Sequence, residues 1–307
     1  MILSNGFILN IPEYLRPVYR ISPFRTDDVS KNHILFNADN TKFKNYLNDR
    51  FAERKIIVTE NGREAIGKAL RLLNLNKDDV VTIFTTTNNF YISGCVTKEI
   101  EKYCKWSREI EKNTKLLLVN HEFGYCSQEM EYYKSLGFPI IEDFAHSFVS
   151  NSIKNDAAKY GNFLIFSLSK FFPMQVGGVL IYDKDYETIN KKSIYNIYIQ
   201  NVVSKYIDEI NEIKIKRIEN YNYYVELFSK IDIKPFFKLT EKDCPGVFCF
   251  RVTESINLND MKNFINSNGI ESSVFYGENA YFVPCHQNLK KQDIEYIFEA
   301  IKYFLGR

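Results

Sequence analysis

Residues 162–178 read Asn162-Phe163-Leu164-Ile165-Phe166-Ser167-Leu168-Ser169-Lys170-Phe171-Phe172-Pro173-Met174-Gln175-Val176-Gly177-Gly178. The run from Asn162 to Phe166 leans apolar and predicts a buried strand. It stops at Ser167-Leu168-Ser169-Lys170, and Pro173 with Gly177-Gly178 disfavours a regular continuation. Lys170 is therefore expected at the exit of a strand, where open α/β sheets place their chemistry. Two readings are open for it. One is a solvated loop lysine. The other is a Schiff-base lysine, which needs a partly desolvated amine and a nearby hydroxyl for a cofactor phosphate. Ser167, three residues upstream, supplies that hydroxyl.

Working outward, Phe138-Pro139-Ile140-Ile141-Glu142-Asp143-Phe144-Ala145-His146-Ser147 reads as a short buried strand with acids at its exit. Asp143 can cap the next segment, or it can salt-bridge the protonated nitrogen of a pyridine ring and make the ring a better electron sink. An Asp at one strand end and Ser-x-x-Lys at another resembles the fold-type I enzymes that use pyridoxal 5'-phosphate (PLP). More narrowly, the chain resembles the DegT/DnrJ/EryC1/StrS family of PLP-dependent sugar aminotransferases. Four stretches carry the resemblance, in the family's order. They are Asn61-Gly62-Arg63-Glu64-Ala65, Val119-Asn120-His121-Glu122-Phe123-Gly124, Ile141-Glu142-Asp143-Phe144-Ala145-His146-Ser147, and Phe166-Ser167-Leu168-Ser169-Lys170 with its Gly177-Gly178. Together they cover roughly the first 180 residues.

The resemblance implies a large, mostly parallel seven-stranded sheet domain and a smaller α+β C-terminal domain, placed here at 1–232 and 233–307. The hydrophobic pattern predicts strands at 55–59, 80–84, 115–120 and 178–183 in the first part, and at 247–252 and 272–276 in the second. Helices are expected at 43–51, 126–136, 258–268 and 291–305, with one long helical region at 187–229. After Glu60 the chain turns at Asn61-Gly62 into an amphipathic helix. Asn61 is a candidate N-cap, and Glu64 can close a capping box with it. The free amides and positive dipole end of such a helix suit a phosphate, although an ordinary capped start reads the same way.

In the family this junction helps hold the cofactor phosphate, which implies Gly62 and the backbone of Arg63 as contacts. The turn at 85–91 ends in Phe90-Tyr91, where the family carries an aromatic that stacks on the pyridine ring. Phe90 is preferred and Tyr91 is the second choice; both also read as core residues opening a helix over 91–104. His121 matches the family's His-x-x-Gly and is read as structural. His146 stands where the family has a His or Gln near the ring hydroxyl, and its alternative is a helix cap.

Composition narrows the function classes. The 307 residues are 45% hydrophobic and 25% charged, ordinary for a soluble globular chain. A net charge of +2, from 40 basic and 38 acidic residues, leaves no broad basic field and argues against nucleic acid as partner. Cys95, Cys104, Cys126, Cys244, Cys249 and Cys285 form no Cys-x-x-Cys. With four histidines there is no zinc spacing, so no metal site is expected. Met1-Ile2-Leu3-Ser4-Asn5-Gly6 lacks the pattern of a secretory leader, and no apolar run reaches membrane-spanning length, so a cytoplasmic protein without membrane contact is expected.

The resemblance thus implies an aminotransferase that moves an amino group, with glutamate as donor, to a nucleotide-linked keto-sugar in surface-polysaccharide or secondary-metabolite sugar biosynthesis. Lys170 would hold PLP and move a proton, and Asp143 would keep the pyridine nitrogen protonated. Two departures stand out. Between Tyr182 and Asp208 there is no Asn-Tyr-Arg-like segment of the kind that reaches the neighbouring subunit's site, and Val176 stands where an acidic residue is common. A PLP lyase or dehydratase on the same fold, or a non-enzymatic relative acting as a sensor or assembly partner, are the competing readings. Relatives that dehydrate replace the lysine with histidine, so Lys170 argues against that branch. A stripe of Ile194, Tyr198, Val202, Tyr206 and Ile210 at four-residue intervals suits either the core or a partner subunit, and a homodimer is expected.

Overall fold

The structure is a computed structural model that describes residues 17–35, 41–189 and 194–306. Short helices α1 (Asp28–His33) and α2 (Thr41–Arg50) precede the first sheet. Then follow β1 (Arg54–Thr59), α3 (Gly62–Leu72), β2 (Val80–Thr85), α4 (Gly94–Ile100), β3 (Lys105–Ser107), β4 (Thr114–Asn120), α5 (Met130–Ser135), β5 (Ile140–Asp143), β6 (Phe163–Ser167) and β7 (Gly178–Asp183). The seven strands form one sheet in the order β1-β7-β6-β5-β4-β2-β3. Only β7 runs against its neighbours, so the sheet is mostly parallel as expected. Its near-continuous Val, Ile, Leu and Phe runs are those of strands covered on both faces.

Strand register fixes what meets at the carboxyl edge. Thr85 pairs with Asn120, and Asn120 with Asp143, so three polar strand ends stand side by side. On the other side Ser167 pairs with Gly178 and Gly178 with Thr59. Gly178 has no side chain to spare: a Cβ there would lie 2.5 Å from the carbonyl carbon of Asn61 and 2.7 Å from Thr59 Oγ1. The Asn61 turn therefore crosses directly over the start of β7, which is the close approach that requires a glycine. Gly177 just before it donates its amide to Glu60 O at 2.6 Å.

The expected helix over 91–104 is shorter, because Ser93 caps α4 at Cys95 and the chain turns again after Ile100. The long helical region at 187–229 is also divided. Residues 190–193 lie outside the described ones; beyond them α6 (Asn196–Tyr206) and α7 (Ile210–Ser229) are separated by a 3-10 turn, Ile207–Glu209. The stripe on α6 points inward. Val202 is fully buried, and Tyr198, Tyr206 and Ile210 pack on the core built by Phe43, Leu47, Val58, Ile199 and Val203. Only Ile194, ahead of α6, is exposed. Four-residue spacing cannot tell a core stripe from an interface, and here α2 covers it.

A second, antiparallel sheet joins β8 (Val247–Arg251), β9 (Ser273–Val274) and β10 (Ala280–Pro284) in the order β8-β10-β9, with α8 (Leu258–Ser267) and α9 (Lys291–Phe304) against it. Its core also takes Tyr221, Tyr224 and Phe228 from α7, whereas Ile213 of the same helix packs in the first body. The central strand β10 was not expected. It is buried along its whole length, so its apolar run lacks the alternation that marks a half-exposed strand.

Gly178→Ala is expected to cost about 1–3 kcal/mol by overpacking, read as a lower denaturant midpoint. Gly94→Ala, where a Cβ meets nothing within 4 Å, should leave the midpoint within about 0.5 kcal/mol.

Candidate active site

A cavity of about 510 Å³ opens at the carboxyl edge of the large sheet, against the second sheet. Gly62, Arg63, Tyr91, Asp143, His146, Ser167 and Lys170, all expected from sequence, line it together. They come from the exits of β2, β5 and β6 and from the start of α3, so the alignment of strand ends is what gathers them.

At one end stands the start of α3. Asn61 Oδ1 accepts the Glu64 amide at 3.1 Å, as an N-cap should. The return contact reaches one residue further back than in a capping box: Glu64 Oε2 accepts the Glu60 amide at 2.7 Å. The amides of Gly62 and Arg63, at the first helical positions, have no acceptor within the helix. A Cβ on Gly62 would sit 3.5 Å from Ser167 Cβ, so helix start and Ser167 hydroxyl share one cradle. The Arg63 side chain is exposed at the rim.

Lys170 closes a 3-10 turn, Leu168–Lys170, directly after β6. Among the described residues its amine makes no ion pair. Burial pushes its pKa down, opposed by the negative charges of Glu271 and, less, Asp143. Asp143 is buried at the end of β5, with Oδ1 accepting the Ala145 amide at 2.9 Å. Burial pushes its carboxyl up, while the Ala145 amide, His121 and Lys170 pull it down. Burial likewise holds His146 well below the usual imidazole range, helped by the charges of Lys170 and Arg217, so its ring is neutral.

His121 does not line the cavity. Its Nδ1 accepts the Ser127 amide at 3.1 Å and its Nε2 lies 2.9 Å from Glu142 Oε2, both groups buried. With Nδ1 accepting, Nε2 carries the proton and donates to the carboxylate. Glu142 also receives the amides of Ala158 and Gly161, so the pair is a structural brace beneath the Asp143 turn.

The structure places the two candidate aromatics differently. Phe90 is 75% exposed and outside the cavity, whereas Tyr91 lines it. Asn88, two residues before, takes φ of 57°, and Phe90 lies over Gly277, whose Cβ position is 3.2 Å from Phe90 Cβ. Tyr91 turns inward among Phe123, Phe275, Tyr276 and Phe282, with ring centroids 5.5–6.4 Å away. Burial pushes its hydroxyl up to about 12.

Several lining residues were not singled out from sequence. Asn120 and Glu122 flank His121 at the exit of β4 and line the cavity that His121 does not. Glu122 is buried, accepts the Thr87 amide and hydroxyl at 2.8 Å each, and is pushed up to about 7 by burial. Glu271, Ser272 and Ser273 come from the second sheet's approach, more than 100 residues beyond Lys170, and no spacing rule links them to it.

These groups match the needs of PLP. Free helix-start amides and a hydroxyl suit its phosphate, a half-buried amine suits its aldehyde, and a buried carboxyl with no ion-pair partner among the described residues suits the charged nitrogen of its ring. The family model described as "Putative PLP-dependent aminotransferase" matches residues 40–207, more than half of the chain. The chain belongs to this aminotransferase family. No curated protein matches the sequence. Solved structures resemble the aminotransferase in fold. The aminotransferase TlmJ from Streptoalloteichus hindustanus is 15% identical over 94% of this chain and 99% of its own, with a TM-score of 0.75. NtdA from Bacillus subtilis, with bound cofactor PMP, is 16% identical over 99% and 87%, with a TM-score of 0.69. A DegT DnrJ EryC1 StrS aminotransferase from Brucella abortus is 14% identical over 92% and 98%, with a TM-score of 0.68.

Tyr91→Ala in the aminotransferase is expected to weaken PLP binding roughly tenfold in a fluorescence titration, and Phe90→Ala to leave it unchanged. Equal effects of the two substitutions would place the cofactor elsewhere.

Proposed function

We propose that this PLP-dependent aminotransferase carries an amino group from glutamate to a nucleotide-linked keto-sugar, in the making of surface-polysaccharide or secondary-metabolite sugars. The observation that carries the reading is the convergence of Lys170 and Asp143 on one cavity with the α3 start. The four family-like stretches support the sugar substrate, as does the likeness in fold to a DegT DnrJ EryC1 StrS aminotransferase.

Gly62, Arg63 and Ser167 would hold the cofactor phosphate, Tyr91 and His146 would border its ring, Asp143 would serve the ring nitrogen and Lys170 would be the residue that binds it covalently. When bound, PLP supplies an electron sink for the donor's α-carbon. Lys170 Nζ, with a pKa lowered by burial, takes and returns the proton of the transfer more readily near neutral pH than an exposed lysine would. The neutral ring of His146 neither competes for that proton nor repels Lys170. We place the cofactor-holding body at 1–232 and a smaller domain at 233–307. We also propose a homodimer working in the cytoplasm; among the described residues no helix is long and apolar enough to cross a membrane. Ile194 and Ile197, 83% and 58% exposed ahead of and within the first turn of α6, mark its contact.

Lys170→Ala should abolish borohydride fixation of PLP and turnover with glutamate and a panel of nucleotide-linked keto-sugars, without unfolding the protein. Asp143→Asn should keep fixation but lose about 10²-fold or more in rate. Near wild-type turnover in either variant overturns its assignment. In light scattering, Ile194→Asp with Ile197→Asp should give a folded monomer; an unchanged dimer would put the contact elsewhere, and a monomeric wild type would defeat the dimer itself.

A further inference from the structure

The cavity accounts for the Lys170 amine, but not for what fixes the backbone from which that side chain springs. The 3-10 turn Leu168–Lys170 is held by the amides of Phe171 and Phe172 donating to Leu168 O and by Leu168 N donating to Gly177 O. These contacts leave the carbonyls of Lys170 and Phe171 at the open end of the turn. Two side chains from distant parts of the chain receive them. Arg217 of α7 donates through Nη2 to Lys170 O at 2.9 Å and to Phe171 O at 3.4 Å. Gln287, in the turn after β10, donates through Nε2 to Phe171 O at 2.9 Å. The two are joined, since Arg217 Nε donates to Gln287 Oε1 at 2.9 Å. The guanidinium also lies over the Phe171 ring, 4.7 Å from its centroid, and Nη1 reaches Pro245 O at 3.4 Å.

This arrangement is costly. Arg217 is 1% exposed, and among the described residues no carboxylate pairs with it. A buried charge without a counter-ion is harder to keep than an apolar side chain of similar size, and packing alone would be met by one. A guanidinium does what an apolar side chain cannot: its rigid fork serves neighbouring acceptors at fixed angles. Here those acceptors are the carbonyl of Lys170 itself, the next carbonyl and Gln287. The Gln287 turn is anchored in its own right, with Asn220 Nδ2 donating to His286 O at 2.8 Å.

We propose that Arg217 and Gln287 are positioning residues that clasp the Lys170–Phe171 backbone and so set the reach of the Lys170 amine to the cofactor; this rests on the reading of Lys170 as the covalent lysine. Errors of an ångström at such an anchor slow the reaction of the group it carries.

The test compares covalent and non-covalent cofactor binding. PLP is added to the cofactor-free full chain, growth of the visible band is timed, borohydride traps the product, and peptide mapping locates it. Pyridoxamine phosphate, which cannot bond to a lysine, reports on the ring and phosphate contacts alone. Arg217→Met and Gln287→Leu are expected to slow attachment at Lys170 by about tenfold or more, while pyridoxamine phosphate affinity stays within about threefold and Arg217→Lys restores part of the rate. Wild-type attachment rates in both variants overturn the proposal. So does an equal loss of attachment and of pyridoxamine phosphate binding, which would make the clasp a general support of the fold. If Arg217→Met does not fold, Gln287→Leu decides alone. Attachment in the wild type at a lysine other than Lys170 defeats the reading of Lys170 and the clasp with it, whereas attachment at Lys170 that both variants leave unchanged defeats the clasp only.

Discussion

Everything at the site depends on one register. Parallel strands that end level with one another bring Thr85, Asn120 and Asp143 into a single row. A shift of one residue in any of them would turn a polar end group to the opposite face of the sheet. The antiparallel strand β7 then lets the chain return beside Ser167, and its bare first residue, Gly178, admits the Asn61 turn at a distance no side chain would allow. The cradle at Gly62 and Ser167 and the lysine turn are thus two results of the same pairing.

Beneath that row the polar groups fall into two kinds. Glu142 and His121 are buried and satisfied, by each other and by three backbone amides, and they hold loops. Asp143 is buried and Lys170 half-buried, and burial pushes the carboxyl up and the amine down, away from their charged forms. What separates the two pairs is partnering: the first is closed by its own hydrogen bonds, whereas Asp143 and Lys170 line the cavity.

Much of this was legible in the sequence because it is local. Six of the seven strands of the large sheet show as apolar runs, and the groups that converge in the cavity sit at their ends. The seventh, β3, is a three-residue edge strand whose Lys105, Trp106 and Ser107 carry no pattern. Phe90 and Tyr91 could not be told apart because they are adjacent aromatics in one turn, and which ring faces inward is set by the path of the backbone there. The stripe through Tyr198 and Val202 was ambiguous in the same way, as spacing shows that a face is apolar and not what covers it. Glu271 and Arg217 were beyond local reading altogether, and the turn holding Gln287 showed as a turn but not as a partner of the Lys170 backbone, for their partners lie tens to hundreds of residues away.

Residues 19–25 carry a consequence for how the molecule is made. Tyr19 pairs with Ile270, the Ile21 amide donates to Glu271 Oε2, Ser22 Oγ donates to Ser169 O, and Asn288 Nδ2 donates to Pro23 O. Ile21 itself lines the cavity. A segment that leaves the ribosome early must therefore wait about 250 residues for its partners, whereas the large sheet can pair without it. At synthesis rates of about 5–20 residues per second the delay is tens of seconds. The contacts that this segment makes at the cavity wall can form only after those residues are made, so a nascent chain can pair its large sheet before the wall is complete.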